Sequence, residues 1–180
     1  MGKFRVVDTY TIKWKIKLSS KQFGYLYFQV YDSGKNFFDI LQHVFQQQKN
    51  RLYKSYNIVG LEFSGKYIDE LIIEGKTKVY PSVSSITESI RNILEGFSIV
   101  YQKSLEYLVD NDIIDKEKFI ELYQDDQIEI KDIDIILDDN NNNELVKFLL
   151  YTIFDHKGLS LEDKDTYKYL EQFININITF

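Results

Sequence analysis

The chain contains no cysteine, and only one proline and eight glycines occur among its 180 residues. The absence of cysteine excludes disulfides, thiolate catalysis and cysteine-ligated zinc sites. No stretch approaches the roughly twenty uninterrupted apolar residues that a membrane-spanning helix requires. The first residues lead into no apolar block, so we expect no signal peptide, no membrane contact and a reducing, cytoplasmic location.

The sequence patterns of common catalytic sites are also missing. The chain has no Gly-x-Ser-x-Gly, no P-loop and no dinucleotide-binding fingerprint. It has two histidines, His43 and His156, and neither has a second histidine or a cysteine at metal-ligand spacing. We therefore predict no catalytic residue, no metal site and no cofactor, and we expect a protein that is not an enzyme.

What the chain has in excess is apolar and aromatic side chains. Hydrophobic residues make up 44% of it and aromatic residues 16%, with 14 Tyr and 13 Phe. This content predicts a folded protein with a substantial core, and tyrosine hydroxyls at the rim of the core or at an interface. At 180 residues we expect one compact domain built from two lobes.

The charges divide between the two halves of the sequence. Residues 1–83 carry 13 Lys and Arg against 7 Asp and Glu, whereas residues 84–180 carry 9 against 21. We interpret the first half as a basic, β-rich lobe and the second as an acidic, helix-rich lobe. Two explanations remain open: the halves pack on each other, or each faces a different partner.

The first half predicts an antiparallel sheet with one packed helix. Residues 10–19 alternate apolar residues with Lys13, Lys15 and Lys17, which is typical of a strand with one buried and one basic face. Residues 23–31 are interpreted as a second strand that forms a hairpin with the first. Further elements follow: an amphipathic helix at 36–54 and a second hairpin formed by 58–63 and 67–75, with 76–80 continuing the sheet.

The second half predicts helices that return one or two strands to the sheet, and so an α+β fold. Ser85 and Glu88 have the spacing of a capping box and predict the start of a long helix ending near 110–112. Asp115 is predicted to cap a shorter helix. The remaining predictions are a strand at 127–137 with a bulge or turn at Lys131-Asp132, helices at 144–158 and 161–173, and a strand at 174–180.

The segment LIIEGK, residues 71–76, resembles the apolar strand followed by Glu-x-Lys at the metal site of a large class of nucleases. The resemblance implies that an acidic residue of a preceding strand and Glu74 bind a divalent metal, while Lys76 helps to activate water. Glu62 lies on the preceding strand and would supply this carboxylate in place of the usual Asp, whereas Asp69 is expected on the same strand as Glu74 and does not meet the requirement for a separate strand. The alternative is an ordinary hairpin with charges on its exposed face, which we favour because a Glu-x-Lys triplet is common.

Lys13, Lys15 and Lys17 lie on one face of the first strand, and we call them the lysine row. Such a row is typical of contacts with phosphate groups of a nucleic acid. Sheets that bind nucleic acid usually expose aromatic side chains among the basic ones, but Trp14 alternates onto the opposite face. The sequence pI of about 5.0 is also low for a nucleic-acid-binding protein. Nucleic acid is therefore not our expected partner.

The densest charge feature is an acidic segment in the second half. Its spacing lacks the central Gly and the closing Glu of a calcium loop. It is either a solvated surface or a negative surface that docks on a basic protein site. The predicted partner-binding residues are Asp125, Asp126, Glu129, Asp132, Asp134, Asp138 and Asp139.

The sequence thus favours a non-enzymatic protein-binding module, such as an inhibitor or immunity-type protein that neutralises a toxin or a phage-defence protein. Its predicted partner is another protein with a basic surface. Two alternatives come from other classes: a metal-dependent nuclease using Glu62, Asp69, Glu74 and Lys76, and a nucleic-acid accessory protein using the lysine row.

Overall fold

The computed structural model describes residues 10–65, 67–80, 83–124, 128–137 and 174–178, and its fold is α+β, as predicted. None of the described helices combines the length and apolar composition that crossing a membrane requires. The elements in chain order are β1 (Tyr10–Ser19), α1 (Lys21–Asp32), α2 (Phe37–Tyr56), β2 (Ile58–Ser64), β3 (Glu70–Val79), α3 (Val83–Asp110), α4 (Lys116–Gln124), β4 (Glu129–Leu137) and β5 (Ile174–Ile178).

The strands form one sheet in the order β2-β3-β1-β4-β5. The first four run antiparallel to their neighbours, and β5 lies parallel to β4. Strand β1 is central and pairs with β3 over its whole length, from Tyr10 opposite Val79 to Ser19 opposite Glu70. Strands from the basic half and from the acidic half therefore share one sheet, and the predicted return of C-terminal strands is confirmed.

The connections place the four described helices on one face of the sheet. Strands β1 and β2 run parallel with β3 between them, and α1 and α2 form their connection. Strands β3 and β4 likewise run parallel to each other with β1 between them, and α3 and α4 form their connection. Parallel strands require such long crossover connections, which usually contain helices.

The core lies between this face and the helices. From β1, the side chains of Ile12, Trp14, Ile16 and Leu18 are at most 2% exposed. They pack in one cluster with apolar residues of β2, β3 and the helices. Burial of each aliphatic side chain of this kind contributes on the order of 1.5–3 kcal/mol, so the alternating pattern of β1 anchors the fold.

The second strand predicted at 23–31 is wrong, because these residues form helix α1. Ser20 caps the helix, and its Oγ accepts a hydrogen bond from the backbone N–H of Gln22 at 3.2 Å. Phe23, Leu26 and Val30 are buried at helical spacing. The first half therefore contains two helices, and β1 forms its pair with the distant β3.

The other elements predicted within the described residues are present with small changes. The bulge is confirmed, because Leu18 lies opposite Ile130 and Lys17 opposite Asp132, which leaves Lys131 as the extra residue. The cap of α4 is confirmed by a bond of 2.7 Å from the Lys118 backbone N–H to Asp115 Oδ1.

The prediction of a capping box formed by Ser85 and Glu88 at the start of α3 is wrong. The helix begins at Val83, so Ser85 lies in its first turn rather than before it. The Ser85 Oγ instead accepts a hydrogen bond from the Tyr80 backbone N–H at 2.9 Å. The helices predicted at 144–158 and 161–173 lie outside the described residues.

Candidate functional site

The face of the sheet opposite the helices carries charged side chains from all four antiparallel strands. On β1 these side chains alternate with the buried ones. The side chains of Lys13 and Lys17 are 37% and 42% exposed, so this face is open to solvent in the described structure. We call it the charged sheet face, and its charged members are Lys13, Lys15, Lys17, Glu62, Glu70, Glu74, Lys76, Lys78, Asp132 and Asp134.

The predicted phosphate-contacting lysines form ion pairs with β3. Lys13 Nζ lies 3.2 Å from Glu74 Oε2, and Lys17 Nζ lies 3.8 Å from Glu70 Oε2. Lys15 is placed opposite Glu74 in the strand register. These carboxylates lower the positive potential that a phosphate backbone would meet. The lysine row as a nucleic-acid contact therefore stays a prediction.

Strand β4 brings two of the predicted acidic residues onto the same face. Asp132 lies opposite Lys17 and Asp134 opposite Lys15, and both are half-buried. Their other neighbour in the sheet is β5, and Asn175 lies opposite Asp134. Within the described part of the chain Asp134 forms no ion pair. We call Asp132 and Asp134 the acidic row. It lies between the lysines of β1 and strand β5, which has no charged residue.

Glu129 extends the acidic row at the start of β4. Its carboxylate accepts a hydrogen bond from Lys131 Nζ at 2.8 Å. This hydrogen bond, together with the charge of the ammonium group, lowers the pKa of Glu129 and raises the pKa of Lys131. Glu129 is thus one half of an ion pair, and Lys131 offsets its negative charge. The other predicted acidic residues, Asp125, Asp126, Asp138 and Asp139, lie outside the described residues.

The Glu-x-Lys segment is on the exposed face of a hairpin, as favoured from the sequence. Glu74 lies directly opposite Glu62, and the ammonium group of Lys13 beside Glu74 offsets the repulsion between these two carboxylates. Asp69 lies in the turn before β3. Among the described residues, no three His, Cys, Asp or Glu side chains are placed to hold a metal. The described structure therefore brings together two of the carboxylates that the nuclease alternative names, Glu62 and Glu74, without a third ligand, and this alternative stays a prediction.

The glycine of this segment has a structural role. Gly75 faces the core, where a Cβ atom would lie 2.5 Å from Ile93 Cδ1 and 3.2 Å from Leu61 Cδ2. Helix α3 can approach β3 at this point because glycine has no side chain. Glu74 and Lys76 are exposed as a consequence of strand alternation around this contact.

A second surface lies around α1 and is aromatic. Phe28 and Tyr31 of α1 are 51% and 67% exposed, and Tyr67 and Ile68 of the turn before β3 are 60% and 49% exposed. The rings of Tyr27 and Phe38 lie among them and are half-buried. We call this surface the aromatic face, and its members are Tyr27, Phe28, Tyr31, Phe38, Tyr67 and Ile68.

A cleft of about 750 Å³ adjoins the aromatic face at Tyr31. It contains His43, whose ring meets the edge of Tyr107 at a centroid distance of 5.9 Å. Lys35 Nζ donates a hydrogen bond to Tyr107 Oη at 3.3 Å. His43 has no companion ligand for a metal among the described residues, and His156 lies outside them.

The sequence interpretation missed the aromatic face because 23–31 was assigned to a strand. The signal was present, since Gly24, Tyr27, Phe28 and Tyr31 have the spacing of one side of a helix.

Comparison of the chain with protein-family models, with curated proteins and with solved structures gave no significant match.

Proposed function

We propose that the protein is a non-enzymatic protein-binding module of the inhibitor or immunity type, which docks its acidic row on a basic surface of a target protein. The observation that carries this proposal is the position of Asp132 and Asp134 on the solvent-exposed face of the sheet. Glu129 lies at the start of the same strand, where it forms an ion pair with Lys131.

Two of the neighbouring lysines also face carboxylates of another strand. Lys13 and Lys17 form their ion pairs with Glu74 and Glu70, on the β3 side of β1. On its other side, β4 borders β5, which has no charged residue between Ile174 and Ile178. Within the described residues, strand β5 therefore adds no charge beside the carboxylates of β4.

Such an arrangement suits an inhibitor of a basic protein. Complementary charges speed association and exclude partners of the wrong sign. Nuclease channels and the active sites of many toxins that act on nucleic acid are basic, because their substrates are polyanions. An acidic row that occupies such a site blocks it without any chemistry of its own.

The proposal is tested by affinity capture with the tagged wild-type chain and with Asp132→Asn/Asp134→Asn. The inputs are extracts of the native host and of its competing organisms and phages. A matched control is Glu95→Gln/Glu106→Gln, which makes the same change in net charge on the exposed side of α3. We expect one basic partner that the wild type and the control retain, that the Asp variant loses, and that dissociates as salt rises.

Equal retention by the Asp variant and the wild type contradicts the proposed docking surface. The absence of any partner contradicts the binding function. Cleavage of a nucleic acid by the purified chain with magnesium, abolished in Glu74→Gln, would instead support the nuclease alternative.

A further inference from the structure

A crevice of about 260 Å³ lies between α3, α4 and the start of β4, on the helix side of the sheet. Its floor is formed by side chains of the core: Leu18, Phe97, Leu105 and Leu122 are at most 5% exposed. Protein interiors are packed as densely as organic crystals and contain few voids larger than a water molecule. A recess of this size against the core is therefore more than imperfect packing explains. We call it the apolar crevice.

Helix α3 forms the longest wall of the apolar crevice. The wall residues have the spacing of one helix side: Leu94, Phe97, Ser98, Tyr101, Gln102 and Leu105. Tyr101 Oη donates a buried hydrogen bond of 3.0 Å to Gln22 Oε1, which joins this wall to the first turn of α1. The wall is thus fixed by the fold and needs no ligand to form it.

The opposite wall depends on the bulge of β4. Ile128 and Ile130 line the crevice. Regular strand alternation counted back from the buried Ile133 would instead place Lys131 and Glu129 on this side. The bulge at Lys131 shifts the alternation by one residue, so two isoleucines face the crevice and the Lys131–Glu129 ion pair is exposed outside it. Bulges often redirect side chains beside functional sites in this way.

The chemistry of the walls determines which ligands fit. Among the described residues that line the crevice none is charged, although charged residues make up 28% of the chain. An ionised group in such a site would lose its hydration without gaining a partner, so the site selects a neutral and mostly apolar ligand. Ser98 and Gln102 are exposed and offer a hydroxyl and an amide, so the hydrogen-bonding group of a ligand belongs at the mouth.

The aromatic side chains of the crevice favour a ligand that contains rings. The rings of Phe97 and Tyr101 lie 5.6 Å apart, centroid to centroid, on the α3 side. On the α4 side, Tyr123 is 54% exposed and its ring stacks on that of Phe119. Offset-stacked and edge-to-face contacts between aromatic rings add to the free energy of apolar burial. A flat aromatic ligand can make such contacts with both walls.

The volume sets the size of the ligand. A closed cavity of about 150 Å³ lined by Leu, Ile and Phe holds one benzene molecule. In proportion, the volume of about 260 Å³ suits two fused rings, or about ten non-hydrogen atoms. Pockets for drug-sized ligands usually have about 300–1,000 Å³, so a larger molecule does not fit.

We infer that the apolar crevice binds a small neutral aromatic molecule of two fused rings with one hydrogen-bonding group, the class to which indole and 2-naphthol belong. The inference goes beyond the proposed function, because the crevice lies on the side of the sheet opposite the acidic row. A protein partner would need about 800 Å² of accessible surface. The apolar floor is instead recessed behind a rim that includes Ser98 and Gln102, which suits a small molecule.

The inference is tested by titrating the whole chain, with ¹³C-labelled Ile and Leu methyl groups, and recording methyl NMR spectra. The neutral two-ring probes are indole and 2-naphthol. We expect saturable shifts of the Leu105, Leu122 and Ile130 methyl signals, with dissociation constants on the order of 10–100 µM. The methyl signals of Ile68, which lies on the aromatic face, should not move.

Two further probes test the size and the charge of the ligand. Phenol should bind about tenfold more weakly than 2-naphthol, because one ring covers less of the apolar wall. The anion 2-naphthoate has the two rings of 2-naphthol and a carboxylate, and it should also bind at least about tenfold more weakly, because the crevice has no cation to pair with it.

A variant that closes the mouth connects the binding to the crevice. Ser98→Phe places a ring at the rim from an exposed position of α3, and we expect the affinity for 2-naphthol to fall at least about tenfold. The matched control Ser55→Phe makes the same change at an exposed position of α2, outside the crevice, and should bind like the wild type. Thermal unfolding verifies that both variants are folded, and Gln102→Phe makes the same test from the neighbouring rim position.

Four results would overturn the inference. The first is a dissociation constant above about 1 mM for both two-ring probes, which is too weak for a site of this size. The second is equal affinity for 2-naphthoate and 2-naphthol. The third is unchanged affinity in folded Ser98→Phe and Gln102→Phe. The fourth is a shift of the Ile68 signals as large as that of the Leu105 signals, which would indicate unspecific binding to apolar surface.

Discussion

Strand β1 and helix α1 follow each other in the chain, yet their solvent-exposed sides differ. Both bury one apolar side in the same core. The exposed side of β1 carries Lys13, Lys15 and Lys17, whereas that of α1 carries Tyr27, Phe28 and Tyr31. A charged exposed side is what solubility requires, but an aromatic one needs a further reason.

The contrast separates the residues that hold the fold from those available for binding. On β1 the two sets alternate residue by residue, and on α1 they lie on different stripes of the helix. If this division is right, substitutions on the buried sides reduce stability strongly and substitutions on the exposed sides do not.

The largest expected effect is that of Ile16→Ala on β1. Ile16 is fully buried, and its truncation removes apolar contacts and leaves a cavity under the helices. We expect a loss of about 2–5 kcal/mol in the free energy of unfolding, measured by urea denaturation. The control is Lys15→Ala on the exposed side of the same strand, with an expected change within about 0.5 kcal/mol. Similar losses for both would refute the division on β1.

A second prediction concerns Gly75, which lies on the buried side of β3 below α3. In Gly75→Ala the added Cβ would lie 2.5 Å from Ile93 Cδ1, so the two elements must move apart or Ile93 must change rotamer. We expect a loss of about 1–3 kcal/mol in thermal or urea unfolding. Combination with Ile93→Val, which removes one methyl group at this contact, should recover part of the loss. No recovery would mean that the strain lies elsewhere.

The sequence predicted β1 but not α1, and the same contrast explains why. In β1 the lysines make the period of two visible, and in β4 the shift of the apolar residues revealed the bulge at Lys131. In α1 the exposed aromatic residues hide the spacing of Phe23, Leu26 and Val30, and aromatic residues favour strands. Ser20, which caps α1 in the structure, lies in a polar segment that also suits the turn of a hairpin.

Pairing across the sheet was less accessible from the sequence than the elements themselves. Strand β1 pairs with β3, about sixty residues away in the chain, and a local hairpin was the simpler expectation. The ion pairs of Lys13 and Lys17 depend on this register, so the partial neutralisation of the lysine row could not be predicted from the sequence. The aromatic face could not be predicted without α1.

The third prediction tests the start of α1. Ser20 is 5% exposed and its Oγ accepts the Gln22 backbone N–H, so Ser20→Ala leaves that donor without this partner. We expect a loss of about 1 kcal/mol in urea unfolding. The control Ser55→Ala, at an exposed position inside α2, should be neutral or slightly stabilising because alanine is the better helix former. Equal effects would show that the cap contributes nothing.

A smaller effect is expected for the ion pair between Lys13 and Glu74 on the charged sheet face. Both side chains are about one third exposed, so solvent and salt screen their attraction. A double-mutant cycle with Lys13→Ala and Glu74→Ala should give a coupling energy of about 0.5 kcal/mol that falls as salt is raised to 1 M. A coupling that does not change with salt would indicate a pair far less accessible than the structure shows.

A small effect is predicted for Phe28→Ser on the exposed stripe of α1. Phe28 is 51% exposed, and serine and phenylalanine have similar helix propensities, so only about half of the burial free energy of one ring is lost and the free energy of unfolding should fall by about 1 kcal/mol. Phe23→Ser, the same substitution five residues earlier on the buried stripe, should cost several kcal/mol, because it removes a core ring and buries a hydroxyl. Urea unfolding of both variants therefore compares the two sides of one helix with the same chemical change. A large loss for Phe28→Ser would give the exposed aromatic residues a role in stability.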